Sequence, residues 1–155
     1  MRAADVELQA GEQLMVKGGE LIYRQIAPHM LIDDGKVATT AFGPNSSDNY
    51  MPSYSRSTAV TAQESRDWHT RNALHPSLGV WGIAVQEVIA SESYAVDDSA
   101  CPLGEGQKRA PGHCFVDFRR LSKPQRKELR ARLYMHAMKR GEIPTNETVA
   151  EGQLF

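Results

Sequence analysis

Two charged residues stand where the pattern of their neighbours calls for apolar ones. Read as a strand, "LIYRQIAPHM" (21–30) sends alternate side chains to opposite faces, so Arg24 shares a face with Ile22 and Ile26. The same reading of "VWGIAVQEVIA" (80–90) puts Glu87 on a face with Trp81, Ile83, Val85 and Ile89. A buried unpaired charge costs several kcal/mol, and buried charges are normally paired. The direct expectation is that Arg24 and Glu87 meet across a sheet. Two alternatives stay open. Either strand could lie at an edge or out of register, or both residues could line a pocket where the planar Arg24 guanidinium grips an anion.

A second chemistry is electrostatic. Residues 119–140 hold nine Lys or Arg and a single acid, Glu128, although the whole chain carries a net charge of only −1. A polarised basic segment can bind an acidic protein or, less favoured, a phosphate backbone. Arg126, Lys127 and Arg130 are its candidate contact residues. Single-strand binding would want interleaved aromatics, and only Tyr134 answers that description.

Thiol and metal chemistry are weakly indicated. Cys101 and Cys114 are too few for a disulfide scaffold and read as reduced thiols. His113 and Cys114 are adjacent, so a strand would point them to opposite faces. A nucleophilic Cys114 beside a base is an alternative to its role as a small buried apolar group. His69 and His75 fit no metal-ligand spacing, so neither a metal nor a cofactor is implied. "GEGQKR" (104–109) lacks the spacing of a phosphate loop, and no G-x-S-x-G elbow occurs.

The elements that must hold these residues follow from pattern and punctuation. The length of 155 residues suits one domain. Residues 1–19 read as a flexible arm, with a short helix near Val6 to Met15. Strands are predicted at 20–27 and 36–42, joined as a hairpin by the turn signal "DDG". "GPNSSDNYMPSYSRS" (43–57) reads as a long loop whose Tyr50 and Tyr54 could anchor a partner. Thr61 to Glu64 is a capping box that should start a helix over 62–73, with Trp68 as its main apolar anchor. A strand follows at 79–90, with a short one near 94–96 and another at 113–118. Ser122 to Gln125 is a second capping box, opening a helix over 123–140 with Leu129, Leu133, Tyr134, Ala137 and Met138 on its apolar stripe. An acidic tail spans 142–155. The order β-β-α-β-β-α predicts an α+β domain over 20–141, with a mixed or antiparallel sheet of about four strands and two helices packed on it.

Two resemblances add to this reading. Tyr23 to Ile26 with Pro28, then Ala41, Phe42 and Pro44, resemble a group of small bacterial proteins with a Y-R-Q-I-x-P start and an A-F-x-P segment, to which no activity is attached. That likeness implies a bacterial origin. The aromatic-arginine strand and the later strand glutamate are similar to ADP-ribosyltransferase-like domains. The likeness implies an NAD or nucleotide substrate, with Arg24, Tyr54 or Ser55, and Glu87 in the site. The functional expectation is a cytoplasmic accessory protein that binds another protein, as in a defence or toxin–immunity module. The competing expectation is a small nucleotide-using enzyme.

Overall fold

Period-two alternation builds one antiparallel sheet of six short strands in the computed structural model, which describes residues 7–45 and 47–149. In chain order the strands are β1 (Gln13–Leu14), β2 (Leu21–Gln25), β3 (Ser53–Arg56), β4 (Val80–Ala84), β5 (Ala95–Asp97) and β6 (His113–Val116). They lie side by side as β1-β5-β6-β3-β2-β4. The helices are α1 (Ala62–Asn72), α2 (Val85–Ala90) and α3 (Lys123–Arg140). The class is α+β as expected, but among the described residues the sheet has six strands rather than about four, and there are three α-helices rather than two.

Register sorts the side chains. Ile22 pairs with Ile83, Tyr54 with Cys114, and Ala95 with Val116. These residues join Leu129, Leu133 and Ala137 of α3 in the main core. Tyr23, Gln25, Ser53, Ser55, His113 and Phe115 alternate with them and so belong to the opposite face. There α1 packs on β2, where the Gln25 amide nitrogen donates to the Ser65 hydroxyl at 2.8 Å.

Both long helices start as their capping boxes dictate. The Thr61 hydroxyl accepts from the Glu64 amide at 3.0 Å, and the Glu64 carboxylate accepts from the Thr61 amide at 2.9 Å. The Ser122 amide donates to the Gln125 side chain at 2.8 Å. Gly141, at φ +88°, ends α3 in a conformation that other residues adopt only at a cost.

Several local expectations are corrected. Residues 36–42 form no strand. Val37 makes an isolated bridge to Leu31, and Thr39–Phe42 is a 3-10 turn that buries Ala41 and Phe42. The strand at 79–90 stops at Ala84, and the chain enters α2 with Val85 and Val88 buried on one side. An apolar run of that length reads equally as strand or helix. The 43–57 stretch ends in strand β3. Trp68 is only half-buried, and α1 buries Ala62, Ser65 and Arg66 instead.

The arm is docked over its described part. Gln13–Leu14 pairs with β5, the Met15 amide donates to the Ala95 carbonyl at 3.0 Å, and Glu12 meets Arg119 at 2.9 Å. The helix expected near Val6 to Met15 is not formed over residues 7–15, which hold a turn and β1, and Val6 itself lies outside the described residues. The tail up to Val149 is a strap. The Ile143 amide donates to the Val80 carbonyl at 2.8 Å, and Thr148 donates to Asp67 at 2.8 Å.

Candidate functional site

A groove of about 960 Å³ opens on the α1 side of the sheet. Its lining includes the sheet residues Tyr23, Gln25, Ser53, Ser55, His113 and Phe115. Trp68 and His69 of α1 form one wall, and the loops around Asp48 and Lys108 form others.

Within it, three residues make one hydrogen-bonded chain. His113 points into the groove because Cys114, its neighbour on β6, takes the core position. The His113 Nδ1 lies 2.7 Å from Asp98 Oδ1, and its Nε2 lies 2.9 Å from Ser53 Oγ. A carboxylate only accepts, so Nδ1 carries the proton. In the neutral ring Nε2 is then the acceptor for the Ser53 hydroxyl. Side-chain exposures of 20% for His113 and 18% for Asp98 leave the pair partly open to the groove.

The surrounding structure holds all three in place. Ser53 and His113 sit on paired strands, with Ser53 opposite Phe115 and Ser55 opposite His113. Asp98 follows β5 in a loop braced by Arg109, which donates to the carbonyls of Ser99 at 3.0 Å and Cys101 at 2.8 Å.

Arg24 supports this site from behind and has no carboxylate partner among the described residues. It is 5% exposed, and its guanidinium donates to the carbonyls of Ala41 at 2.8 Å, Ser53 at 2.8 Å and Gly43 at 3.2 Å. Its cation lies 5.3 Å from the centre of the Tyr54 ring, whose hydroxyl donates to the Phe42 carbonyl at 2.9 Å. Burial pulls the Arg24 guanidinium below its ordinary value, partly offset by its attraction to Tyr54 and Asp48. The pairing of β2 with β3 stops at Tyr23 and Ser55, and Arg24 takes the carbonyl of Ser53 beyond that point.

The expected Arg24–Glu87 pair is therefore absent. Glu87 lies in α2, where its carboxylate accepts from the Ala84 amide at 2.8 Å. It also meets Arg140 at 2.8 Å and His136 at 3.2 Å. Burial works to raise the Glu87 carboxyl, but these hydrogen bonds and cations outweigh it and hold the group below its ordinary value. The physical reason is the helical turn at Val85, which removes Glu87 from the alternation of β4. Of the residues that the ADP-ribosyltransferase likeness implies, Arg24 and Tyr54 meet, while Glu87 is engaged elsewhere.

The other candidates separate in the same way. Tyr54 is 2% exposed and belongs to the core, so it presents no surface to a partner. Tyr50 is 48% exposed and lies under Arg126, 4.9 Å from ring centre to guanidinium carbon. Arg126 also donates to the Leu121 carbonyl at 2.6 Å, while Lys127 is exposed and Arg130 half-buried. Cys114 is buried and faces away from His113, and burial pushes its thiol well up, so it occupies the core as a small apolar side chain. Both cysteines are free. Among the described residues no group of three His, Cys, Asp or Glu side chains could hold a metal ion.

Sequence reasoning missed Ser53, Asp98 and His113 as a unit. His113 is 15 positions from Asp98 and 60 from Ser53, so no local motif spans them. One signal was available: "SYSR" alternates small polar residues with an inward Tyr54, the signature of a strand with one open face. Compared with protein-family models, with curated proteins and with solved structures, the chain shows no significant match.

Proposed function

We propose that the groove is an active site in which the Asp98–His113 pair serves as a general base on a small-molecule substrate. The observation that carries this reading is the 2.7 Å contact between Asp98 Oδ1 and His113 Nδ1, on the wall of a groove of ligand size. Asp98 fixes the tautomer, so Nε2 keeps its lone pair on the groove side, where it accepts from the Ser53 hydroxyl. It also stabilises the imidazolium that forms when Nε2 takes a proton. The test is turnover by the full chain of a panel of chromogenic carboxylic and phosphoric esters. Replacing His113 by alanine is expected to lower any such rate by about a hundredfold or more. Asp98→Asn should lower it too, with the fold intact. Equal rates in wild type and His113→Ala would overturn the assignment.

A second reading concerns the outside of α3, and the contact between Tyr50 and Arg126 favours it. That contact joins the turn from Asp48 to Met51 to the basic helix in one surface. We infer that Tyr50, Arg126, Lys127 and Arg130 form a contact for an acidic segment of another protein. Reversing the three charges should slow association and flatten its salt dependence, because rim charges act mainly on encounter. Unchanged association at low salt would leave the helix as a solvated face.

A further inference from the structure

We propose that Ser53 is a covalent nucleophile and that the substrate class is a carboxylic ester, cleaved through an acyl-serine. This rests on the reading of His113 as a general base and extends it to the group on which the base acts. Ser53 Oγ is 2.9 Å from His113 Nε2, within reach for direct proton transfer, and Asp98 completes the line at 2.7 Å. Nucleophile, base and orienting acid are thus joined through one imidazole, on the wall of an open groove.

The backbone under Ser53 is held from two sides. Its neighbour Tyr54 is locked in the core, and its own carbonyl accepts from the buried Arg24 at 2.8 Å. A nucleophile placed on such a support keeps its attack geometry from one encounter to the next.

Charge selects the substrate class. The Lys and Arg side chains lining the groove are Arg24, Lys108 and Arg109. Arg24 is spent on three carbonyls and Arg109 on two. Among the described residues of the lining, Lys108 alone is left to meet a negative charge, which suits a neutral or singly charged ester better than a phosphoryl group needing several cations.

The chemistry balances without any redox partner. Ser53 Oγ bonds to the acyl carbon as its proton passes to His113 Nε2. The bond from that carbon to the alkoxy oxygen breaks, and the leaving alcohol takes the proton from Nε2. Water then attacks the acyl-serine and gives a proton to His113. That proton returns to Ser53 Oγ as the carboxylic acid departs.

The experiment uses the full chain with an excess of an alkyl fluorophosphonate, which phosphonylates activated serines and releases fluoride. Intact mass and peptide mapping should show one adduct, on Ser53, and none in Ser53→Ala. Labelling should be about a hundredfold or more slower in His113→Ala and slower in Asp98→Asn. Both are compared with wild type by thermal unfolding, so a folding defect is separated from a chemical one. Absence of a Ser53 adduct, or full ester turnover by a folded Ser53→Ala protein, would overturn the nucleophile. If turnover still needs His113 in that case, the base stands and activates water directly. If ester turnover and Ser53 labelling are both indifferent to His113, both readings fall.

Discussion

Arg24 shows how a residue that breaks a pattern can be satisfied without a counter-ion. Three backbone carbonyls fill its fork, and the Tyr54 ring covers its flank. Removing it would strand three acceptors, each worth about 1–3 kcal/mol when buried and unmet. Arg24→Met should therefore lower the unfolding free energy by at least about 3 kcal/mol in urea titration. Arg24→Lys should recover only part of it, since an ammonium lacks the planar fork. Glu87→Gln should cost about 1 kcal/mol or less, as a partly exposed ion pair. The two losses should add to within about 0.5 kcal/mol, because the residues share no partner. Recovery of stability in the double mutant would mean that they pair directly.

At the scale of an element, the turn from Asp48 to Met51 is the least comfortable piece of backbone. Asn49 and Tyr50 have φ of 52° and 65°, and the Met51 amide closes the turn on the Asp48 carbonyl at 2.9 Å. Asparagine tolerates that region, but a tyrosine there costs about 1–2 kcal/mol. The cation of Arg126 over its ring returns about 0.5–1 kcal/mol, which helps to hold the turn against β3 and α3. Tyr50→Gly relieves the strain while losing the stacking, so its melting temperature should stay near that of wild type. Tyr50→Ala loses the stacking and keeps the strain, so it should melt several degrees lower. A fall in Tyr50→Gly as large as in Tyr50→Ala would show that backbone strain plays no part. Elements of this kind were the least legible in the sequence. α1 and α3 announced themselves through capping boxes, which are contacts over three residues. β1 and β3 are two and four residues long and owe their existence to partners far along the chain.

At the scale of the molecule, burial sets the response to pH. Burial and the charge of Arg24 lower the basicity of His69 below its ordinary 6.5, so the folded protein resists the proton that the unfolded chain accepts. Its contribution is present above that value and is lost as pH falls below it. Burial works to raise the Glu20 carboxyl. Hydrogen bonds from Arg56 and Thr58, with the Arg56 charge, outweigh it and leave the group below its ordinary 4.5. That contribution is likewise lost on acidification, in a lower window. Denaturant unfolding at a series of pH values should show stability declining in two stages. His69→Asn should flatten the upper stage and Glu20→Gln the lower. A first stage unaltered by His69→Asn would place its origin in another histidine. No helix among the described residues is long and apolar enough to cross a membrane. By itself the sequence determined what depends on near neighbours: the α+β class, the two capped helices, the apolar stripe of α3, and strands at β2 and β6. These follow from propensity, capping and periodicity, all read within a few turns of chain. Only the tertiary structure decided where the charges went and which polar groups met. An arginine between isoleucines demands acceptors but does not say whether a carboxylate or three carbonyls will supply them. Ser53, Asp98 and His113 come together because β3, β5 and β6 pair side by side, and strand pairing over such separations is fixed by the packing of the whole core rather than by any local pattern.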